Sequence, residues 1–259
     1  MAGAGFHSHA SHQQAWDYLE SSLDFDIALL QEAITPRGIK NSFADVLFQK
    51  RYPESNVAWG NCIVSRRMKL RQVELSIDET WEQLVRCSSQ LAECPEAGLY
   101  LINVHSNAKN VVSPSHNEFI ATGALSCAKS KYWEIEVVSH FLSPILTNQS
   151  FVLGGDINSG RLFDSVYRYS NNGTLWENLE RQGFIDLRPK HFENEVQTFF
   201  RPNAAPYQLD HFFGSDDISK CTSGWSVLTE VAQELKLSDH APVVVEIDTN
   251  WNKEIFYGK

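Results

Sequence analysis

The stretch Phe151-Val-Leu-Gly-Gly-Asp-Ile-Asn158 runs an apolar strand into two glycines and then sets an acid and an amide two residues apart. Strand geometry has period two, so Asp156 and Asn158 project from the same side of the strand end. An aspartate there can orient a nucleophilic water while the asparagine amide donates to a phosphoryl oxygen, and the glycines allow backbone and substrate to approach closely. An Asx-turn that merely closes a strand would use the same residues.

Four other segments have a comparable form. Leu237-Ser-Asp-His-Ala-Pro-Val-Val-Val-Glu246 places Asp239 and His240 before a buried-type strand. The acid suits a hard metal ion and the imidazole suits proton transfer or charge stabilisation. Neighbours on an extended chain point to opposite faces, so the two share a site only at a bend, which the following Ala-Pro favours. In Tyr207-Gln-Leu-Asp-His-Phe-Phe213, Asp210 interrupts an apolar pattern and can hold a catalytic imidazole in one tautomer; a salt-bridged edge-strand acid is the alternative. Asp26-Ile-Ala-Leu-Leu-Gln-Glu32 ends a strand in a carboxylate suited to Mg²⁺ or Mn²⁺, and Leu101-Ile-Asn-Val-His105 ends another in an imidazole. Singly, each is a polar residue where a strand emerges; together they describe one assembled site.

The elements that position these residues follow from periodicity. Strands are expected at Asp26–Gln31, Val57–Val64, Gly98–Val104, Phe151–Gly154, Tyr207–Phe213, Trp225–Leu228 and Pro242–Ile247. Helical spacing covers Gln13–Leu23, Asp78–Leu91, a long stretch from Asn117 to about Leu146, and Thr174–Gln182. Strands that follow one another without an intervening helix favour mixed sheets faced by helices over a doubly wound parallel sheet. No internal repeat or linker-like tract divides the chain, and single-domain sandwiches run to roughly 250 residues, so residues 1–259 read as one domain.

Composition narrows the function. No run approaches the roughly 20 apolar residues that span a bilayer, and Met1 to His12 lack a basic segment leading into an apolar signal core. Membrane insertion is therefore not expected. The five cysteines contain no CxxC pair, which fits reduced thiols and a cytoplasmic location better than disulfides or thiolate zinc. The triplets at Asn148 and Asn172 match a glycosylation pattern that matters only in a secreted chain. A net charge of −10 argues against a broadly basic nucleic-acid face but leaves room for a local one. Arg66, Arg67, Lys69 and Arg71 form the one dense basic cluster; it can approach phosphates or simply decorate a solvated turn. Arg161, Phe163, Tyr167, Arg168 and Tyr169 mix cations with aromatic faces, which suits base stacking or the packing of a long loop. Phe199, Phe200 and Arg201 are candidates for the same rim.

LLQE, NVHS, GGDIN, QLDHFF and LSDHAPV, in that order over residues 26–247, resemble the endonuclease/exonuclease/phosphatase superfamily, which includes DNase I-like nucleases, abasic-site endonucleases, inositol-polyphosphate phosphatases and sphingomyelinases. The resemblance implies an α+β fold, a four-layer α/β/β/α sandwich with two mixed β-sheets and the site at one end. It also implies Mg²⁺ or Mn²⁺ held by Glu32 with Asp239 nearby, water positioned by Asp156, and phosphate contacts from Asn158 and His105. His240, oriented by Asp210, would act as acid–base or charge stabiliser.

Members of that superfamily normally begin with a strand ending in an asparagine near the metal-binding glutamate. Here no asparagine precedes Asn41, and residues 1–12 show neither alternation nor an apolar run, so they read as disordered or as the remnant of an incomplete first strand. A truncated or wrongly started chain and a diverged member with a weakened metal site both fit; substitution by His7, His9 or His12 fits less well because termini rarely build sites. The expectation is a metal-dependent phosphodiesterase, nuclease-like on DNA or RNA. Its alternatives are a phosphatase or phosphodiesterase for a small-molecule or lipid-headgroup phosphate, and a catalytically weak binding module.

Overall fold

The computed structural model describes residues 9–36, 38–54, 56, 58–77, 79–107, 111, 132–166, 172–189 and 195–248. The chain opens on helix α1 (His9–Ser21), followed by β1 (Ile27–Ala33), β2 (Asp45–Lys50) and β3 (Gly60–Ser65), an antiparallel sheet in the order β1-β3-β2. Next come β4 (Arg71–Gln72), α2 (Glu79–Ser88), β5 (Ser89–Cys94), β6 (Leu99–His105), α3 (Glu134–Leu146) and β7 (Phe151–Asp156). The remainder is α4 (Phe163–Val166), α5 (Asn172–Arg181), β8 (Ile185–Asp186), β9 (Asp210–Gly214), α6 (Asp216–Cys221), β10 (Thr222–Val227), α7 (Thr229–Gln233) and β11 (Val243–Ile247). Six of these strands form a second sheet, β4-β5-β6-β7-β9-β8, in which β6 and β7 are parallel and every other pair antiparallel. β10 and β11 pair separately.

Alternation along the strands builds the layers. On β6, Ile102 and Val104 face outward into a core shared with Val85 of α2, Val138 and Leu142 of α3 and Trp176 of α5. Leu99 and Leu101 face the other way, meeting Ile63 of β3 and Leu29 of β1 between the sheets. Trp16 and Leu19 of α1 cover the far side of the three-stranded sheet at Val46, Cys62 and Val64. Helix, sheet, sheet, helix is thus the order of layers, and the expected α/β/β/α sandwich is what the chain forms. Buried on both faces, the central strands read as continuous apolar runs rather than clean alternation.

Several boundaries differ from the sequence expectation. α1 begins at His9, so residues 9–12 are helical rather than the remnant of a strand; His12 is buried on the face it shares with Trp16 and Leu19. Residues 1–8, and most of the long helix expected from Asn117, lie outside the described residues. α2 stops at Ser88 and Ser89–Cys94 is a strand; the Ser89 hydroxyl donates to the Val85 carbonyl, which helps end the helix. β2 escapes detection because Asp45, Gln49 and Lys50 dilute its apolar residues. The larger sheet is mixed as expected, whereas the opposing layer is antiparallel and in two pieces, because neither β1 nor β11 has a partner on its second edge among the described residues.

Polar ties also cross the core: Gln90 of β5 donates to the Leu47 carbonyl of β2 (3.1 Å), and a larger set centres on β6. Asn103, fully buried on β6, donates its amide to the carbonyls of Leu30 on β1 (2.9 Å) and Cys62 on β3 (3.1 Å). Its own carbonyl accepts from Gln31 at 2.6 Å. Asn103→Leu removes these bonds while keeping the bulk, and is expected to destabilise the protein by about 2–4 kcal/mol. The measurement is the urea midpoint at unchanged m-value; a wild-type midpoint would mean that the Asn103 bonds do not hold the sheets together.

Candidate active site

The backbone register of the larger sheet lines up three of the candidate side chains. His105 ends β6 opposite Asp156 at the end of β7, and Asp156 lies opposite Asp210 at the start of β9. Neighbouring strands lie about 4.8 Å apart, so an imidazole and two carboxylates stand in one row. The glycines before Asp156 have a structural reason: Gly155 has φ +138°, and a Cβ there would collide with the Val104 carbonyl oxygen, while one on Gly154 would meet the Phe212 ring. They let β6 and Phe212 approach β7, the close approach of backbone expected of them.

Asn158 sits at φ +49°, a conformation asparagine tolerates better than most residues. Its backbone N–H donates to Asp156 Oδ1 (2.8 Å), and its amide donates to Asp156 Oδ2 (2.8 Å) and to the Ser106 carbonyl (2.9 Å). In this arrangement Asn158 orients Asp156.

His240 comes from the other end of the sequence. Its Nδ1 lies 2.8 Å from Asp210 Oδ2. The segment around it is pinned by backbone bonds: Phe200 N–H donates to the Asp239 carbonyl (2.7 Å) and Ala241 N–H to the Thr198 carbonyl (2.8 Å). The Phe199 ring packs 5.0 Å from the His240 ring, so this rim candidate does line the site. The bend sends the adjacent acid elsewhere: Asp239 is buried, and its Oδ2 accepts from Arg201 Nε at 2.8 Å.

Glu32 reaches the row from the opposite sheet. It has φ +50°, where β1 slips its register between Leu30 and Ala33. A bulge of this kind re-aims a side chain at some cost in backbone strain. Glu32 Oε1 lies 3.9 Å from His105 Nε2, and Asp156 Oδ2 lies 3.8 Å from the same nitrogen.

Charge is unevenly shared across the cluster. Burial pushes the Asp156 carboxyl up to about 7; the charges of Asp210 and Glu32 add to this, while His240 and the Asn158 N–H oppose it. Burial works against a charged His240, yet the carboxylates of Asp210 and Asp156 outweigh it and raise the imidazole to about 9. Asp210 is held below the usual carboxylate range: burial would raise it, but His240 and the Thr198 hydroxyl win. Burial and then the Arg51 charge keep His105 well below its ordinary value and so neutral. At neutral pH the site combines a neutral imidazole, an imidazolium, an ionised Asp210 and an Asp156 poised to gain or lose its proton. One ligand atom from each of Asp156, Asp210 and His240 fits within a 4.8 Å cluster. Oxygen donors crowded by like charge are a setting for a hard divalent cation.

No family model and no curated protein matches this sequence. Solved structures do match in shape. The chain superposes on the 3′ phosphatase NExo from Neisseria bound to a product DNA hairpin with a TM-score of 0.67, at 19% identity over 93% of this chain and 95% of that one. An AP endonuclease from Archaeoglobus fulgidus gives a TM-score of 0.68 at 17% identity, covering 94% and 96%. The endonuclease domain of TRAS1, a telomere-specific non-LTR retrotransposon, gives 0.57 at 17% identity, covering 92% and 91%. The chain has the DNase I-like fold.

Within this DNase I-like sandwich, several contributors were not visible in the sequence. Arg51 is buried, donates Nη1 to the His105 carbonyl (2.8 Å) and stacks over Trp59, whose ring lies 5.8 Å from that of His105. Thr198 accepts at its hydroxyl from the N–H groups of Leu209 and Asp210. Neither has a local signal; an arginine after an unrecognised strand and a threonine in a loop are ordinary. The basic cluster, by contrast, does structural work. Arg66 donates to the carbonyls of Leu19 and Glu20 in the last turn of α1 and of Leu23 just beyond it, Arg67 pairs with Asp24 and Asp26, and Arg71 pairs with Glu93. Arg161 stacks on Trp176 and Phe163 on Tyr207, at 4.6 and 4.4 Å, whereas Tyr167, Arg168 and Tyr169 lie outside the described residues.

Asp210→Asn removes the carboxylate that does most to raise His240. In this variant the imidazole, followed by NMR through a pH titration, is expected to titrate well below the wild-type value of about 9. The sign for stability follows. A folded-state value raised above the ordinary 6.5 stabilises the fold fully below pH 6.5, and that contribution disappears as pH rises toward 9. The variant should lack this slope.

Proposed function

We propose that the protein is a divalent-metal-dependent phosphodiesterase of the nuclease type, acting on DNA or RNA. The observation that carries this reading is the cluster of Asp156, Asp210 and His240, which lie far apart in the chain but whose ligand atoms fall within 4.8 Å of one another, with Asp156 and His240 driven to opposed proton affinities. Titratable groups whose surroundings drive their proton affinities apart mark the base and the acid of a site. Asp156, held by Asn158, accepts the proton of the attacking water. His240, charged and fixed by Asp210, neutralises the phosphoryl oxygens as negative charge develops there. His105, neutral and held from behind by Arg51, donates a hydrogen bond to the phosphate. The similar structures support the substrate class, since one was solved with a product DNA hairpin and another is an AP endonuclease.

The residues fit a hard cation, with Glu32 and the Asp156–Asp210 pair offering oxygen donors. Mg²⁺ or Mn²⁺ bound there would stabilise the pentacoordinate phosphate and lower the pKa of water. Asp239, the other expected ligand, accepts from Arg201 at Oδ2, which leaves Oδ1 as the oxygen it would offer. The net charge of −10 favours a second reading, a small-molecule or lipid-headgroup phosphate as substrate.

A panel of plasmid, abasic duplex, single strands, inositol phosphates and bis-nitrophenyl phosphate, assayed with Mg²⁺ or Mn²⁺, separates these readings. Cleavage of nucleic acid is expected, with Asp156→Asn and His240→Ala each lowering kcat by about 10²–10⁴-fold. Activity confined to inositol phosphates would establish the second reading. No cleavage of any substrate, with Asp156→Asn indistinguishable from wild type, would leave a binding module. Glu32→Gln is expected to raise the Mn²⁺ concentration for half-maximal activity by at least about tenfold, roughly 1.4 kcal/mol, in a metal titration.

A further inference from the structure

The proposed reaction leaves Arg201 unused, although this residue borders the site. Phe199 bridges to His240 in antiparallel fashion, and Pro202 disfavours a helical backbone at Arg201. The chain therefore stays extended, and Phe199 and Arg201 project to the same side. The guanidinium lies 5.3 Å from the centre of the Phe199 ring, which itself packs 5.0 Å from the His240 imidazole. One phenyl ring thus packs against both. The root of the side chain is fixed as well: the Phe200 N–H donates to the Asp239 carbonyl (2.7 Å), and the Arg201 carbonyl accepts from the Ala204 N–H (3.1 Å) in the turn that follows.

Only one side of the guanidinium is engaged by the fold. Its Nε donates to Asp239 Oδ2 at 2.8 Å, its only hydrogen bond among the described residues, and 49% of the side chain is exposed. Meeting the buried Asp239 needs a single donor, and an arginine carries further donors on Nη1 and Nη2. Arg51 and Arg66, by contrast, direct their terminal nitrogens to backbone carbonyls. A planar fork tied at Nε and laid over an aromatic ring loses little freedom when it grips an anion, and its terminal nitrogens match the spacing of phosphate oxygens. The bend sends Asp239 away from His240, and Arg201 goes with Asp239. The fork is accordingly offset from a phosphate held beside His240 and suits the phosphate next to it.

We propose that Arg201 grips a second phosphate of the substrate, the neighbour of the scissile one along a nucleic-acid strand, and so favours ligands that carry at least two phosphates. The proposal rests on the reading of the catalytic cluster as a phosphodiesterase site. Asp239 is then a positioning residue that holds the fork at Nε while Nη1 and Nη2 meet the ligand. A further phosphate on an inositol ring offers the same chemistry, so the test includes both sources.

Calorimetry on the whole chain, with Ca²⁺ supplied as the hard cation, compares a thymidine dinucleotide with one phosphate, a trinucleotide with two, and trinucleotides in which either phosphate is a neutral methylphosphonate. Inositol mono- and bisphosphate form the second arm. Arg201→Gln keeps an amide that can donate to Asp239 but loses the charged fork; Arg201→Lys keeps the charge. Folding of both is checked by the urea midpoint. Arg201→Gln is expected to weaken the trinucleotide by about 10–100-fold and the dinucleotide by less than about threefold, with Arg201→Lys between Arg201→Gln and wild type. With one of the two methylphosphonates the effect of Arg201→Gln should vanish, because the contact is already gone. Equal weakening of both nucleotides, the result of a purely structural role through Asp239, overturns the proposal. So do additive effects with both methylphosphonates, or no binding of any ligand. Discrimination confined to the inositol pair overturns the placement on a strand. Cleavage of bis-nitrophenyl phosphate by the wild type is measured separately with Mn²⁺: its absence with the coupling intact refutes the reaction alone, and its presence without the coupling refutes the Arg201 contact alone.

Discussion

Pairing of β6, β7 and β9 in a single register is the constraint from which the rest of the site follows. With side chains alternating every residue, a slip of one position on β9 would turn Asp210 away and bring His211 into the row. That slip is blocked on the far face. His211 is buried there 4.8 Å from Trp176, and its Nε2 lies 3.1 Å from the carbonyls of both Ser159 and Gln208. Two adjacent residues with opposite tasks thus lock each other: the packing of His211 holds Asp210 in place, and Asp210 holds His240.

Bringing His105, Asp156, Asp210, Glu32 and His240 together out of water creates the chemistry and its cost. Buried carboxylates repel one another, and the protein relieves this locally rather than by dilution. His240 supplies one positive charge, Thr198 and Asn158 supply hydrogen bonds, and Asp156 responds by holding its proton near neutral pH. Burial keeps the His105 ring neutral, and Arg51 adds a cation behind it that acts in the same direction. The result is a graded site in which neighbouring groups of the same type carry different protons.

The two sheets are unequal partners. The larger is continuous and carries the row of His105, Asp156 and Asp210; among the described residues the other layer is in two pieces, and Asn103 ties its β1–β3 part to β6. Glu32 belongs to that part, on a strand that pairs along one edge among the described residues.

Residue type and local spacing determined the strand ends at Glu32, His105, Asp156 and His240, because a polar group terminating a buried apolar run stands out against period two. They also determined the layered α+β class, since apolar runs and helical stretches follow one another in a pattern that few architectures accept. β2 and β5 were not legible: Asp45, Gln49 and Lys50 dilute the first, and the second follows α2 without a break. Only the tertiary structure decided how the acids divide their work. Asp239 and His240 are neighbours in sequence, yet one closes on Arg201 and the other on Asp210, because a bend clamped by residues 198–200 sends them apart. The role of the glycines before Asp156, the caps made by Arg66 and the protonation of each carboxyl likewise depend on what arrives from distant parts of the chain. Distance along a sequence sets no electrostatic field; distance and burial in space do.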